Sequence, residues 1–485
     1  MSIPLERVAL RAMVDNGFQP EPPAAARREL AALPDTPRDG VRDLRQLRWS
    51  SIDNVTSKDL DQIEVAESMP DGAIRLRIGI ADVDALVPKG SAIDGHAAGN
   101  STSVYTGISV FPMLPDALST DRTSLLEGGE RIVVVTELEI GTDGAIRRHD
   151  LYRAVAVNHA KLDYESVGAW LEGHGPQPDT IAADDSLEAQ LWLQDRAAGL
   201  LKRLRERAGV LDLDTVEATP VARDGVIESL RVSRKNRARD LIEDFMIAAN
   251  GAVARFLAAA GRSAIRRVVR EPRRWDRIAE IAASYGIHLP AAPDGKALAD
   301  FLAARRAADP LRFPDLSLSV VKLLGPGEYV LDRPGPADDI GHFGLAAPDY
   351  THATAPNRRY ADLVTQRLVK AAIAGAPAPY SDDELTRLRG TAPSARTPPT
   401  RWSAWPASRP PPCCSSAASA PPSTPSSPAS RATRPTSACC RLRRKAASSA
   451  ARAAWTSASG CASGSCAPTP GAASSTSKAS DGYPR

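Results

Sequence analysis

Three aspartates lie within nine residues of one another in the segment SIDNVTSKDLDQ, beside a predicted strand. They are Asp53, Asp59 and Asp61. Carboxylates this close repel one another unless a cation lies between them, and hard oxygen ligands suit Mg²⁺ or Mn²⁺. The spacing is not that of an EF-hand, and a solvated turn also favours Asp, Asn and Ser. The cluster alone therefore leaves a metal site and a polar turn as alternatives.

Two patterns predict strands around this segment. Residues 74–80 alternate between large apolar residues and Arg or Gly, which is the period of a half-buried strand. The runs VVVTELEI and AIRRHDLYRAVAV flank an Asp-Gly pair between Gly141 and Gly144, which predicts a hairpin.

Helical periodicity predicts four further elements. Apolar residues recur at helical spacing from Leu241 to Leu257, and a last helix is predicted from about Tyr360 to Ala374. Near the N-terminus, residues 24–33 follow a Pro-rich break and predict one short helix. The helix before it is predicted to present one apolar face, formed by Leu10, Met13 and Val14.

Strands come first and helices later in one continuous body, which predicts a mixed α+β fold rather than alternating βαβ units. We expect a small helical module at residues 1–45, with a helix-turn-helix-like arrangement as one alternative. The main domain is predicted at residues 46–392. It should contain a mixed sheet flanked by helices.

The tail at residues 393–485 differs in composition from everything before it. Residues 401–485 hold nine Arg and two Lys against one acid, Asp481, so the preceding 400 residues carry a net charge of −7. All six Cys also lie in the tail, in a Ser/Ala/Pro background without periodicity. Such a composition predicts disorder. A basic RNA-binding tail and translation in a shifted reading frame are the two explanations left open.

Charge and composition exclude several classes of protein. A net acidic body argues against binding duplex nucleic acid over the whole surface, because such binding neutralises many phosphates. The Cys spacing does not fit a zinc site. The first residues contain no apolar h-region, and no run approaches 18 apolar residues, so we expect no membrane association and a cytoplasmic location.

The aspartate segment is followed by further motifs in a characteristic order. They are IGIADVDALVPKGSAID, SVYTGISVFPMLPDALSTDRTSL, NHAKLDYESVGAWLE, RARDLIEDFMIAAN and HFGLAAPDYTHATAPNRRYADLVTQRLVKA. Together they resemble the catalytic domain of the ribonuclease II (RNB) family from roughly Leu44 to Ala374. The resemblance implies a hydrolytic 3′-to-5′ exoribonuclease that degrades single-stranded RNA to nucleoside 5′-monophosphates.

The resemblance also implies a metal site. Asp53, Asp59 and Asp61 match metal-ligating or metal-orienting aspartates, with Asp61 also catalytic, and Mg²⁺ is the expected ion, with Mn²⁺ as an alternative. The next position is usually a fourth Asp in the family, but here it is Gln62. An amide oxygen can still serve as a ligand, although it lacks the charge of a carboxylate.

Five other residues match substrate-contacting positions of the family. Arg358 matches a catalytic arginine that grips the scissile region of the RNA backbone, and Arg359 is expected beside it as a substrate-binding or structural partner. Tyr105 and Tyr164 match aromatic residues that contact the terminal nucleotides, where a ring stacks on any base. Glu243 matches an acidic residue near the 3′-terminal nucleotide, where it can accept a hydrogen bond from a 2′-hydroxyl.

Two rival functions are left open. The resemblance implies an OB-fold RNA-binding module after the catalytic domain, but the tail at residues 393–485 occupies that place. Gln62 and the loss of that module favour a catalytically weakened, RNA-binding member of the same family. A DNA-binding regulator that uses the N-terminal helices is disfavoured by the acidic body. We expect single-stranded RNA as the partner, no obligate protein partner and a monomeric protein.

Overall fold

The computed structural model describes residues 5–391, except residues 37, 39, 215, 216, 224, 225, 234 and 336–340. The tail predicted at residues 393–485 lies outside the described residues. The strands are β1 (Arg42–Asp43), β2 (Trp49–Asp53), β3 (Gln62–Ser68), β4 (Ile74–Ala81), β5 (Val104–Tyr105), β6 (Val110–Phe111), β7 (Glu130–Ile140), β8 (Ile146–Asp163), β9 (Glu217–Arg223), β10 (Val226–Ser233), β11 (Ala264–Val268) and β12 (Glu328–Asp332).

Three α-helices precede β5, and the other α-helices of the described residues follow β8. The α-helices are α1 (Leu5–Asp15), α2 (Ala24–Ala31), α3 (Ala92–Asn100), α4 (Tyr164–Leu171), α5 (Asp179–Ala182), α6 (Asp185–Arg207), α7 (Arg237–Ala259), α8 (Trp275–Ser284), α9 (Gly295–Ala308), α10 (Phe313–Leu324), α11 (Tyr360–Ile373) and α12 (Asp382–Thr391). The predicted helices at 241–257 and 360–374 are therefore confirmed. Within the described residues, no helix is long and apolar enough to cross a membrane.

The central sheet has six strands in the order β1-β8-β2-β3-β4-β7, and β7 also pairs with β8. The long strand β8 makes this possible, because residues 146–157 pair with β7 whereas residues 158–163 pair with β2. Pairs of β8 with β1 and β2 are parallel, and the other pairs are antiparallel. The predicted mixed sheet and the hairpin of β7 and β8 are confirmed.

Helices pack against the sheet and form two separate hydrophobic cores with it. One core contains residues of α11 and α2, and the other contains residues of α6 and α7. In β4 the four predicted apolar residues are buried, but Arg77 and Gly79 are buried as well. The strand is therefore enclosed on both faces, and the prediction of a half-buried strand was wrong. A third core joins α8, α9 and α10.

The two predicted N-terminal helices are present, but the apolar face of the first was misassigned. Met13 is buried with Ala9 and Ala12, whereas Leu10 and Val14 are 43% and 55% exposed. The second helix packs against the body through buried Ala26. The carboxylate of Glu29 accepts hydrogen bonds from the backbone nitrogens that begin α3. The boundary at residue 45 stays a prediction.

Candidate active site

The ends of three strands meet where the aspartate segment lies. Asp53 ends β2 and pairs with Asp163 at the end of β8, so the next residue, Tyr164, begins α4 beside it. Strand β3 runs antiparallel to β2, with Ser50 opposite Glu64, so the start of β3 lies near the end of β2. This pairing brings Asp61, which immediately precedes β3, close to Asp53.

Asp61 is the most strongly perturbed of the three aspartates. It is 2% exposed, and burial raises its pKa to about 7, against the opposing effects of Arg358 and the backbone N–H of Asn357. That N–H donates to Asp61 Oδ1 over 2.9 Å. Among the described residues, Asp61 Oδ2 accepts no hydrogen bond, and Arg358 Nε lies 3.5 Å from it. The second oxygen is therefore free to take a ligand.

Asp53 and Asp59 are held by neutral donors. Asp53 Oδ1 accepts from the backbone N–H of Asn54 and from the Ser57 hydroxyl. Burial raises the pKa of Asp53, and the charge of Asp59 raises it further. Asp59 Oδ2 accepts from the Tyr105 hydroxyl over 2.5 Å. The structure thus places the three aspartates in one electrostatically coupled group.

Gln62 begins β3 and is buried. Successive residues of a strand point to opposite faces, so Gln62 shares a face with Glu64 rather than with Asp61. Glu64 is fully buried, and neither of its carboxylate oxygens has a hydrogen-bond partner among the described residues. Burial and the neighbouring Asp53 raise its pKa well above the usual range. Sequence reasoning did not single out this carboxyl.

The donor set fits a hard dication by ligand type, because the site offers carboxylate oxygens and one of them is buried without a partner. The carboxylate groups, however, do not surround a common point. Within the described part of the chain, no three His, Cys, Asp or Glu side chains converge closely enough to hold an ion. The assignment of Asp53, Asp59, Asp61 and Gln62 as ligands therefore stays a prediction.

The two neighbouring arginines have different environments. The Arg358 side chain is 47% exposed and lies beside Asp61. Arg359 instead donates to Asp362 Oδ1 over 2.7 Å, and that carboxylate is fully buried. Asp362 also accepts from the backbone nitrogens of residues 354 and 355, so it fixes the loop before α11. This geometry favours the structural alternative for Arg359 over substrate binding.

The two predicted stacking tyrosines lie near different aspartates, Tyr105 beside Asp59 and Tyr164 near Asp53. Tyr105 belongs to the small hairpin of β5 and β6 and is 50% exposed. Tyr164 is partly buried, and the guanidinium carbon of Arg239 lies 4.5 Å from its ring centroid. Burial raises the pKa of both phenols above the ordinary value, at which tyrosine is already protonated at neutral pH. The cation over Tyr164 was missed, because nothing in the sequence shows which helix side faces that ring.

Glu243 lies on α7 and is occupied by an ion pair. Its carboxylate is 2.8 Å from Lys235 Nζ, and its side chain is 43% exposed. Contact with RNA would require this exposed pair to open. Its assignment as a substrate-binding residue stays a prediction.

Sequence reasoning also missed a side chain next to Arg358. Asn357 is 1% exposed, and its Oδ1 accepts from the Thr123 hydroxyl over 2.6 Å. Its Nδ2 has no hydrogen-bond partner among the described residues. The segment TAPNRR contains this residue, but only its contact with Asp61 marks it.

Comparison with known proteins identifies the group to which this site belongs. Ribonuclease R of Thermotoga maritima is 33% identical over 370 residues, covering 72% of this chain and 50% of that protein. Ribonuclease R of Escherichia coli K12 is 31% identical and covers 73% and 43%, respectively. Exoribonuclease 2 of Escherichia fergusonii is 31% identical and covers 71% and 53%. The chain spans about half the length of the curated relatives it matches.

Solved structures share the fold. RNase R of Mycoplasma genitalium, in complex with ribose-methylated single-stranded RNA, has a TM-score of 0.72 at 24% identity, covering 82% of this chain and 63% of that chain. Yeast Ssd1, described as a pseudonuclease, has a TM-score of 0.59 at 17% identity, covering 78% and 45%. The RNB domain matches residues 41–375 of the sequence. The chain therefore belongs to the RNB domain family.

Proposed function

We propose that the chain is a metal-dependent exoribonuclease that hydrolyses single-stranded RNA from its 3′ end and releases nucleoside 5′-monophosphates. The observation that carries the proposal is the buried Asp61, whose free Oδ2 lies 3.5 Å from Arg358. The carboxylate of Asp61 can accept a proton from the attacking water. The half-exposed guanidinium of Arg358 beside it can bind the scissile phosphate. The names of the relatives, Ribonuclease R and Exoribonuclease 2, support the same reaction.

Each side chain has a separate task in this proposal. Arg358 binds the scissile phosphate and stabilises the charge that grows in the transition state. Tyr105 and Tyr164 hold the terminal bases by stacking, which tolerates any sequence. Asp61 accepts a proton from the attacking water. Asp362 acts through the loop, because its bonds to the backbone and to Arg359 keep Arg358 in place.

Mg²⁺ is the proposed cofactor, with Mn²⁺ as the alternative. Asp53, Asp59 and Asp61 would hold it, and Gln62 is the weaker fourth ligand. When bound, the ion would lower the pKa of the attacking water and stabilise the negative charge on the leaving oxygen. Asp59 Oδ2 accepts a hydrogen bond from Tyr105 and keeps a second lone pair that can bind the ion.

A catalytically weakened RNA-binding protein is the second candidate. It is favoured by Gln62 and by the open arrangement of the carboxylates in the described part of the chain. Such a protein would bind single-stranded RNA through the same tyrosines and Arg358, but it would release no nucleotides.

One experiment separates the two candidates. A hairpin RNA with a 3′ single-stranded tail, labelled at its 5′ end, is incubated with the protein in Mg²⁺ or in EDTA. If the proposal is right, the tail shortens stepwise in Mg²⁺ but not in EDTA, and mononucleotides are released. Binding without shortening in either buffer identifies the weakened protein. Internal cleavage would refute the exonucleolytic polarity.

A further inference from the structure

One lysine of the central sheet holds the turn at residues 54–57, which follows the first aspartate. Lys161 lies on β8 next to β2, and its Nζ donates to the carbonyl of Ser57 over 2.6 Å and to that of Val55 over 3.1 Å. The Ser57 N–H closes the turn on the Asn54 carbonyl over 3.0 Å. A single ammonium therefore ties this turn to the sheet.

The side chains at the tip of the turn contribute little to its position. Asn54, Val55 and Thr56 are exposed, and Val55, the one apolar residue of the turn, is 70% exposed. Arg239 Nη2 lies 3.3 Å from Asn54 Oδ1, which is long for a hydrogen bond. Because a charged donor makes stronger hydrogen bonds than a neutral one, the two bonds from Lys161 contribute most to holding the turn.

The turn in its place orients the carboxylate of Asp53. The Ser57 hydroxyl donates to Asp53 Oδ1 over 2.9 Å, and the Asn54 backbone N–H donates to the same oxygen over 2.6 Å. Both donors belong to the turn that Lys161 holds. Because both bonds fall on Oδ1, the other oxygen of Asp53 is left for a ligand.

We propose that Lys161 is a positioning residue for the metal site: by holding Ser57 and the turn, it orients Asp53 toward the dication. This inference rests on the proposed function, in which Asp53 is one of the ligands. Groups that orient the ligands of an ion without touching it commonly change metal affinity about 10- to 100-fold when they are replaced. Lys161 lies in the motif NHAKLDYESVGAWLE, but only its contacts with the turn indicate this role.

Direct measurement of Mn²⁺ binding tests the proposal without turnover. Mn²⁺ is titrated by EPR against the protein bound to a single-stranded RNA in which a methylene group replaces the bridging 3′ oxygen of the terminal linkage. Lys161→Met keeps the length of the side chain but removes its charge and its donors, and it should raise the Kd for Mn²⁺ about 10- to 100-fold. Lys161→Arg should recover most of the lost affinity, because its guanidinium fork can donate to both carbonyls.

Lys89→Met is the matched control. The Lys89 ammonium also donates to a backbone carbonyl, that of Pro379, and to the carboxylate of Glu384. This variant loses the same charge as Lys161→Met and should bind Mn²⁺ with the affinity of wild type. An effect of net charge alone would instead appear in both variants and would overturn the positioning role.

A positioning role and a structural role differ in what excess metal restores. In Lys161→Met the half-maximal rate should require more Mg²⁺, whereas the rate at saturating Mg²⁺ should approach that of wild type. RNA affinity in EDTA should change little. If Lys161→Met does not fold, Ser57→Ala removes only the hydroxyl that binds Asp53 and should also raise the Kd for Mn²⁺, by a smaller factor because the Asn54 N–H remains.

The outcomes separate this inference from the proposed function. If wild type binds Mn²⁺ no more tightly than Asp61→Asn does, the metal dependence of the proposed function is wrong. If wild type binds Mn²⁺ through the aspartates and Lys161→Met, or Ser57→Ala in its place, binds it equally well, the role of Lys161 alone is overturned. Loss of kcat at saturating Mg²⁺ together with loss of RNA affinity in EDTA would also overturn it, because Lys161 would then support the fold of the whole site.

Discussion

Two groups of buried or half-buried acids lie at or near the central sheet, and the protein compensates their charges very differently. The first is the strand-end cluster of Asp53, Asp59, Asp61 and Glu64. The second, which we call the ion-pair network, consists of Asp82, Asp84, Asp94, Arg153, Arg367 and Lys370. Every carboxylate of the network has a cation within 2.9 Å. In the strand-end cluster, the ion pair to a described cation is Arg358 with Asp61 at 3.5 Å.

The difference predicts which acids serve the fold and which serve a ligand. Burying charges in matched pairs costs little net free energy, whereas burying carboxylates without cations costs stability unless a ligand compensates. The raised pKa values of Asp53, Asp61 and Glu64 record that cost. Perturbed carboxyl groups of this kind are typical of functional sites.

We expect the largest effect from Asp61→Asn, which tests whether the strand-end cluster is functional. If the strand-end cluster is functional, this change should lower kcat by about 10³-fold or more, because several kcal/mol of transition-state stabilisation are lost with the carboxylate. RNA affinity in EDTA, measured by fluorescence anisotropy, should stay within a few-fold of wild type. Activity close to wild type would remove Asp61 from the mechanism.

Arg358→Ala should produce the next largest effect. We expect kcat to fall about 10²- to 10³-fold, whereas affinity for RNA should fall much less, because the guanidinium acts mainly on charge that develops in the transition state. Arg359→Ala is the matched comparison and should instead lower thermal stability, since it exposes the buried Asp362 charge. Equal losses in binding and turnover for Arg358→Ala would contradict its assigned role.

In the ion-pair network the corresponding change should affect folding. Asp82 is fully buried and meets both Arg153 and Lys370, so Asp82→Asn should lower the free energy of unfolding by about 3 to 5 kcal/mol. Urea unfolding at pH 7 measures this quantity. The control is Asp71→Asn, because its pair with Arg147 is exposed and should contribute little to stability. Similar values for the two variants would show that the network does not depend on its buried charges.

The number of acids alone could not tell these two groups apart. Asp82, Asp84 and Asp94 lie in a motif that holds three aspartates, as the segment of Asp53, Asp59 and Asp61 does. Their partners Arg367 and Lys370 come more than 270 residues later, and only the fold brings them together.

Local periodicity did predict β4, the hairpin of β7 and β8, and the helices α7 and α11, because each depends on neighbouring residues. It failed where long-range packing decides exposure, as in α1. The RNB resemblance marked both Arg358 and Asp61 as site residues, but it could not show that the two lie side by side or that Arg359 is tied to Asp362.

The raised pKa of Asp61 predicts that the difference in stability between Asp61→Asn and wild type depends on pH. The folded protein keeps this carboxyl protonated up to about pH 7, whereas the unfolded chain releases the proton near the ordinary value of 3.8. The folded state therefore binds more protons between these values, and its stability falls as pH rises through that window. In EDTA at pH 8, Asp61→Asn should be more stable than wild type by about 3 to 4 kcal/mol, and the gain should vanish near pH 4. If the gain in stability did not depend on pH, it would be due to packing and not to the charge of Asp61.

The smallest expected effect concerns Gln62, the neutral residue beside the strand-end cluster. Gln62→Asp should lower the Mg²⁺ concentration for half-maximal rate by several-fold, because a carboxylate is a better ligand for a hard dication than an amide oxygen. The added charge should also cost stability in EDTA, since Glu64 on the same face is already buried without a cation. Gln62→Asn is the control for side-chain length and should not lower the metal requirement. Because Asp61 directly precedes β3 and Gln62 begins it, the amide has to turn around the strand end to share a ligand with Asp61. An unchanged or increased Mg²⁺ requirement in Gln62→Asp would mean that it does not turn, and that the site operates with three aspartates.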